Sequence, residues 1–393
     1  MKRNFYLILF ISLCSLILLF AGGVTVYTAS AESQEKTNNL NETIEEQIGT
    51  LNLEELQKYV DSLGNFSDKS VAERLMEYIQ SGAVNYDGIW RQIGTVLFAK
   101  VTEILPAFAC IAAITLLSGL ISTLKSGSNA NTVSDMIFLI TYAAALIPLL
   151  VVLTECFQSS MSCISAMQTQ MQLVFPLMLT LMSASGGTLT AAVCRPAVGF
   201  FATNIVSVIY SLVFPITMII VVLSIVSSMT KELKIGKFTA FFKSTNKWLI
   251  GICISAFGIF FTLQGITAAN YDGIVRRTAK YAIGNGIPIV GGFLSGGFDL
   301  AVAGSILIKN SLGSMSIFLM LAVIFEPMIL LISVNLLLRL TAAISQPFGD
   351  GRIADCLEET ATNLQYCIAG ILFTAFLYFL SIMLMVYASE ALL

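Results

Sequence analysis

Residues 134–154 read SDMIFLITYAAALIPLLVVLT, an apolar run with one charged residue, Asp135, at its edge. A helix needs about 20 such residues to cross the hydrocarbon core of a bilayer. Comparable runs follow the same pattern along the chain, at 104–124, 197–228, 248–268, 314–338 and 364–389. The sequence therefore predicts an all-α polytopic membrane protein with about six full transmembrane helices.

Composition supports this class. Of the 393 residues, 56% are hydrophobic and 11% are charged, whereas soluble globular domains carry about 25% charged residues. So few charges do not cover a water-facing surface, and lipid must contact much of this one.

Two further apolar stretches, 173–195 and 282–308, are interrupted by glycine and proline. Such residues favour broken or re-entrant hairpins, which the bilayer tolerates where the backbone is buried in protein or lines a cavity. The candidate hinge or gate residues are Gly186, Gly187, Pro288, Gly291, Gly292, Gly296 and Gly297. The alternative is that the glycine pairs allow close helix contacts.

The N-terminus has the order of a secretory signal. Lys2 and Arg3 precede an apolar run at 5–20, and Ala29 and Ala31 form a small-x-small cleavage site. We predict a cleavable signal peptide over residues 1–31; an uncleaved first anchor is the alternative. In both cases the following residues begin outside the cytoplasm.

Residues 32–100 form the sizeable polar region, and we predict a small helical extracytoplasmic domain there. Apolar residues recur at helical spacing before Gly64, and Ser67 or Asp68 is a candidate cap for a second helix ending near Gly82. A third helix around Trp90 leads into the membrane domain, residues 101–393. The amphipathic helices either pack on each other or dock an extracytoplasmic partner.

Charge sets the orientation. Five lysines between residues 229 and 247 predict a cytoplasmic loop there. The loop reaches the cytoplasm if 173–195 is a hairpin that does not cross the membrane. The same logic makes 282–308 a second hairpin and places 339–363 inside, with Arg339 and Arg352.

A gapless shift of 112 residues aligns Pro176 with Pro288 and Pro215 with Pro327. This suggests a weak internal repeat of 168–268 and 280–380. Repeated halves with broken helices build the central site of many transporters, although apolar sequences also match by chance.

An ionisable side chain within a span is costly and indicates a function by default. Glu326 lies near the centre of the 314–338 run, directly before Pro327. Asp299, Lys309 and Arg195 flank the interrupted stretches. Either Glu326 pairs with Lys309 or Arg195 to fix helix packing, or these residues line an ion or substrate path.

Other chemistry is excluded by composition. The chain contains no histidine, which removes the commonest general base and zinc ligand, and no P-loop. The cysteines have no CxxC spacing and are interpreted as small apolar side chains. We therefore expect no enzyme activity, no metal and no cofactor.

Four segments are distinctive. They are YDGIVRRTAK at 271–280, IPIVGGFLS at 287–295, LIKNSLG at 307–313 and QPFGDGRIADCL at 346–357. Together with the order of signal, polar region and membrane body, they resemble the stage III sporulation protein AE family.

The resemblance implies a membrane subunit of the channel, or feeding-tube, complex between mother cell and forespore, required for endospore development. It would lie in the mother-cell-derived membrane around the forespore, with residues 32–100 in the intermembrane space. Implied partners are other stage III sporulation A proteins, including a cytoplasmic secretion-type ATPase and intermembrane ring proteins, and forespore protein Q; no nucleic acid is implied. Its hairpins would form a permease-like core; the alternatives are a non-conducting structural anchor and an independent ion-coupled transporter.

Overall fold

The computed structural model describes residues 34–63, 69–81, 89–124, 130–229, 235–267, 291–347 and 351–390. Their regular elements are helices, which confirms the all-α class. The helices are α1 Gln34–Thr50, α2 Glu54–Ser62, α3 Val71–Ser81, α4 Ile89–Leu124, α5 Ala130–Ala184, α6 Thr188–Val208, α7 Phe214–Met229, α8 Gly236–Thr267, α9 Gly291–Ser345 and α10 Gly351–Glu390. A single π-helical stretch, Ile209–Val213, joins α6 to α7.

By length and composition, five helical segments of the described chain could cross a membrane. They are Phe98–Leu117, Met136–Ala184, Asn204–Met229, Leu300–Ser345 and Gly351–Tyr387. The predicted sixth span, 248–268, coincides with the second half of α8, and side chains beyond Ile259 there lie outside the described residues. The prediction of that span stays a prediction.

Helices α5 and α9 are much longer than the predicted spans. Each has 55 residues, or about 80 Å at 1.5 Å per residue, against a hydrocarbon core of about 30 Å. The prediction that 154–173 separates two elements is wrong. The helix continues because buried side chains such as Cys156, Met167 and Met171 keep helical spacing there.

The bundle has two distinct ends. At the lower end α4, α7 and α9 finish and α5, α8 and α10 begin: the Thr115 and Ser345 hydroxyls are 2.8 Å apart, and the Arg352 guanidinium lies 3.6 Å from the centre of the Phe138 ring. At the upper end the Phe175 and Tyr378 rings make an edge contact. Helix α10 is central, packing against α5, α7 and α9.

The N-terminal helices pack on the upper half of this bundle. Helix α1 lies on α9, where the Gln47 side chain donates to the Ala301 carbonyl at 3.0 Å and accepts from the Ser305 hydroxyl at 3.3 Å. Gly304 permits this approach, since a Cβ there would lie 3.1 Å from Gln47 Oε1. The predicted helical domain at 32–100 therefore packs directly against helices of residues 101–393.

Helix α3 begins with a reciprocal cap. The Ser70 hydroxyl accepts from the Glu73 N–H, and the Glu73 carboxylate accepts from the Ser70 N–H. This capping box places the helix start after Ser70, so the prediction of a cap at Ser67 or Asp68 is wrong. The helix ends at Ser81, close to the predicted Gly82.

The predicted interruption in 173–195 lies at Gly186 and Gly187, between α5 and α6. Gly186 has a φ of 92°, and the N–H of Gly187 bonds to the Met182 carbonyl while that of Gly186 bonds to Ser183. This is a Schellman motif, in which the residue with a left-handed backbone conformation is usually glycine. The motif ends α5 and connects it to the antiparallel helix α6. Pro176 lies inside α5.

The prediction of an interrupted hairpin at 282–308 is wrong for its described part, residues 291–308. Helix α9 is unbroken from Gly291, so the glycine pairs at 291–292 and 296–297 do not end a helix. Residues 268–290, including Pro288, lie outside the described residues. The shift of 112 places Gly186 on residue 298, inside α9, so the two proposed copies differ at that point; the repeat stays a prediction.

Two predicted cytoplasmic loops are also largely helical. Within 229–247, α8 begins at Gly236, so Lys237, Lys243 and Lys247 lie on a helix. Within 339–363, α9 continues to Ser345 and α10 begins at Gly351. A count of charges indicates on which side of the membrane a segment lies. It does not indicate whether the segment is helical.

Candidate functional site

Glu326 belongs to a cluster of charges between α4, α5 and α9. The Lys100 ammonium lies 3.3 Å from the Glu326 carboxylate, 3.2 Å from Glu103 and 3.9 Å from Glu155. Its own side chain is 21% exposed, whereas that of Glu326 is 61% exposed. We call Lys100, Glu103, Glu155 and Glu326 the charge cluster.

The predicted pairing of Glu326 with Lys309 or Arg195 is therefore wrong. Glu326 and Lys309 both lie on α9, about 25 Å apart along the helix axis. Lys309 is fully buried and donates to the Val386 carbonyl at 2.8 Å. Arg195 lies exposed on α6, and Asp299 lies in α9, where only its backbone is described.

Large exposed hydrophobic side chains form a band around the lower half of the bundle, which we call the apolar belt. On α5 its members are Met136, Leu139, Ile140, Ile147, Leu150 and Val151. Exposed hydrophobic residues of α4, α7, α8 and the end of α9 continue it. From Met136 to Glu155 the height is about 28 Å, which matches a hydrocarbon core of about 30 Å. The charge cluster marks the upper edge of the belt.

Above the belt the outer face of α5 becomes polar. Its exposed residues there include Gln158, Ser162, Ser165, Thr169 and Gln172. The opposite face is buried and mostly apolar, although it includes Ser160 and Gln170. It carries the α2 contact, where the Tyr59 hydroxyl donates to the Ala166 carbonyl at 3.4 Å. Burial raises the pKa of Tyr59 to about 12, so this hydroxyl keeps its proton at physiological pH.

Polar side chains connect α7, α8, α9 and α10 at the height of the belt. The Lys243 ammonium lies 2.6 Å from the Glu359 carboxylate, and the Arg339 guanidinium lies 3.7 Å from Glu358. The Asn335 side chain donates to the Ala361 carbonyl. These contacts form one belt-level polar network, since they lie within the lower halves of neighbouring helices.

Two buried amides extend this network. The Asn363 amide donates to the Ser224 hydroxyl at 2.8 Å, and the Asn246 amide donates to Thr217 at 2.9 Å. Hydrogen bonds between helices stabilise packing where lipid offers no polar partner. Glu358, Glu359 and Asn363 belong to the segment 339–363 that was predicted to be a cytoplasmic loop, and the predicted span began at residue 364, so the network was not predicted.

The described cysteines and carboxylates are not grouped as metal ligands. They contain no group of three Cys, Asp or Glu placed to bind a metal ion. Several described cysteines, such as Cys156 and Cys367, are fully buried in the apolar core, and Cys110 is exposed. Residues 1–33, with the predicted cleavage residues Ala29 and Ala31, lie outside the described part of the chain.

Sequence comparison gives two matches. A family model described as Stage III sporulation protein AE matches residues 70–389. Stage III sporulation protein AE of Bacillus subtilis (strain 168) is 25% identical over 383 residues, covering 95% of this chain and 96% of that protein. No solved structure matches the chain.

Proposed function

The chain belongs to the stage III sporulation protein AE family, and from that premise we propose that it is a membrane subunit of the channel complex between mother cell and forespore. The family assignment gives it a role in sporulation. The membrane class follows from the five apolar helical segments. The channel complex, its location in the membrane around the forespore and its partners are the parts that we add.

We place the apolar belt in the bilayer, with the lower end in the cytoplasm. Helices α4, α5, α7, α8, α9 and α10 then cross once each, and the exposed Lys237 lies near the cytoplasmic edge of the belt. The N-terminal helices, the Gly186 turn and the upper half of the bundle project into the intermembrane space.

The observation that carries the proposal is the end of the belt on α5. Exposed hydrophobic residues stop at Val151, although the helix continues for about 50 Å to Ala184 with a polar outer face. A protein that only anchored itself in lipid would not need this extension. The projecting half offers a folded surface to ring proteins between the two membranes.

Inside one copy the bundle is filled along α10. Tyr378 and Phe379 are buried beside α9 and α5, and the donors of the belt-level polar network bond to acceptors of the same chain. We therefore propose a platform subunit without enzyme activity of its own, in which any permease-like passage forms between copies or with partners. A non-conducting anchor fits the same packing, and an independent ion-coupled transporter predicts substrate flux from the protein reconstituted alone.

Cysteine labelling tests this placement. In full-length protein carrying Cys110→Ser, Ser165→Cys should react with a membrane-impermeant maleimide added outside intact cells, whereas Ile147→Cys should not. Both positions are exposed on α5, so packing does not explain a difference. Equal labelling of the two, or labelling of Ser165→Cys from the cytoplasmic side alone, would remove the proposed orientation.

A second experiment tests the role. A sporulating strain that carries Thr169→Arg, an exposed change above the belt, should keep normal membrane levels of the protein and form fewer heat-resistant spores. The matched control is Leu139→Met within the belt, which should leave spore counts unchanged. Normal spore counts across a series of arginine substitutions at exposed positions of this face would refute partner binding there.

A further inference from the structure

The exposed side chains of α10 lie on one face, in its lower half and again in its upper half. Asp355, Glu358 and Thr362 are exposed in the lower half, and Phe376 and Tyr387 are exposed in the upper half. Their spacings of 3, 4, 14 and 11 residues, counted from the sequence, are close to whole turns of an α-helix. These five residues form the α10 stripe.

The lower stripe lies at the height of the apolar belt. Arg352 packs on Phe138. Phe138 lies two residues above Met136, which is at the lower edge of the belt. Glu358 and Thr362 are about 9 Å and 15 Å above Arg352, and the upper edge at Glu155 is about 25 Å above Phe138. Asp355 and Glu358 therefore face outward at bilayer depth, with Glu358 3.7 Å from Arg339 of its own chain, while the Thr362 hydroxyl donates to the Glu358 carbonyl.

The polarity of the α10 stripe is the reverse of that on α5. The exposed face of α5 is apolar within the belt and polar above it, as lipid below and water above require. The α10 stripe is polar within the belt and apolar above it. A carboxylate facing lipid costs a few kcal/mol, and exposed aromatic residues in water lose the stabilisation that burial gives.

A protein contact that spans both environments needs this reversed order. Within a bilayer, association depends on polar contacts between helices, whereas in water it depends on burial of apolar surface. Resting on the bilayer placement proposed above, we infer that the α10 stripe binds α8 of a second copy of this chain, arranged head to tail.

Charge and height select α8 as the opposite face. The ion pair between Lys243 and Glu359 fixes the relative height of α8 and α10. Exposed Lys237 and Lys247 then lie about 9 Å below and 6 Å above that pair, so they bracket the height of the stripe's acidic residues.

The upper part of α8 also fits. Ile254 is 50% exposed and lies seven residues, or about two helical turns, above Lys247 on the same face of α8, so it continues this face upward toward the height of Phe376. A two-fold contact of α10 on α10 would place acid against acid, whereas a head-to-tail contact pairs unlike surfaces and closes into a ring when the rotation permits.

Cross-linking between two tagged copies tests the contact. Both full-length copies carry Cys110→Ser; one carries Lys247→Cys and the other Thr362→Cys. Because the two cysteines are on different chains, oxidation in membranes should give a disulfide-linked product that carries both tags. The control pair, Ile147→Cys with Thr362→Cys, should give none, since Ile147 lies on the outer face of α5 within the belt.

Charge reversal gives an independent measurement. Adding Asp355→Lys to the Thr362→Cys copy should reduce the yield of the two-tag product, and Lys237→Glu in the Lys247→Cys copy should restore it, because these two residues lie at similar heights. Membrane levels of each variant are compared by tag, so that loss of folding is recognised, and restoration by the second change excludes misfolding as the cause.

The remaining outcomes overturn the inference. No two-tag product, with Thr362→Cys open to impermeant maleimide, means that the stripe faces water. No product and no labelling means that lipid or a different protein covers it, and a product between two Thr362→Cys copies means a two-fold contact. Labelling of Ile147→Cys would instead show that the bilayer placement has failed.

Discussion

The close approach of α9 and α10 at Gly313 gives a sharp prediction. A Cβ at this position would lie 2.8 Å from the Val386 methyl carbon, 3.4 Å from Ile382 and 3.5 Å from Met178. Carbon atoms in ordinary contact are about 3.5–4.0 Å apart, so Gly313→Ala forces the two helices or the Val386 side chain to move by about 0.7 Å or more.

The expected magnitude follows from two opposing effects. Overpacking of a buried site costs about 1–3 kcal/mol, while alanine in place of a helical glycine gains about 1 kcal/mol. The matched control is Gly258→Ala on α8, where a Cβ would meet nothing within 4 Å, so that change should only stabilise. The two variants should differ by about 1–3 kcal/mol in unfolding free energy, with Gly313→Ala the less stable.

Thermal unfolding of the full-length protein in detergent measures the difference. Gly313→Ala should lower the midpoint and Gly258→Ala should leave it unchanged or raise it. Gly313→Val should lower it further, since two more methyl groups enter the same gap. If Gly313→Ala raised the midpoint as much as Gly258→Ala does, the register of α9 on α10, and with it the belt-level polar network, would be wrong.

Three other changes follow from single contacts. Lys100→Glu should lower membrane levels by placing four carboxylates together, and Glu326→Lys in the same chain should restore them, as immunoblots of membrane fractions would measure; levels that stay low in the double variant would contradict the pairing. Tyr142→Phe removes a 2.6 Å bond to a carbonyl of α7 and should cost about 1 kcal/mol in unfolding free energy, with Tyr210→Phe as the exposed control; equal midpoints for the two would refute the contact. Gln47→Ala should release α1 from α9 and speed its cleavage by protease added outside spheroplasts, whereas cleavage at the parental rate would show that α1 is held elsewhere.

The sequence predicted the helical class and the turn at Gly186 because both depend on local signals. Apolar runs of about 20 residues require helices in lipid, and a glycine pair after a long helical pattern indicates a left-handed ending. The helix after Ser70 was also predicted, with its cap misplaced by two or three residues. Each of these features is encoded within one or two turns of chain.

The partner of Glu326 could not be predicted, since it depends on packing between helices far apart in sequence. Lys100 stands at the boundary of the polar region, and no local feature of the sequence marks it as the partner of a residue 226 positions later. Only the arrangement of α4, α5 and α9 brings its ammonium to three carboxylates. Counting charges along the chain therefore located Glu326 but misjudged both its exposure and its neighbours.

The error over helix length has a physical cause with a wider consequence. Bilayer thickness sets a minimum length for a spanning helix and no maximum, so an apolar segment can continue as the core of a projecting domain. The test that separates the two cases is which face carries the apolar residues. On α5, the belt portion is apolar on both faces, whereas residues 155–184 are apolar on the buried face alone.

The same test applied to α10 gives the opposite order. With the apolar belt in the bilayer, as proposed above, the apolar half, 364–389, lies above the membrane beside the upper half of α5, where Phe175 meets Tyr378, although its length and composition also suit a span. The polar half, 351–363, lies within the belt, where Glu359 pairs with Lys243. On an exposed face, a carboxylate such as Asp355 is unfavourable in lipid and an aromatic residue such as Phe376 is unfavourable in water. That reversed order is the physical ground on which the proposed contact of α10 with a second copy rests.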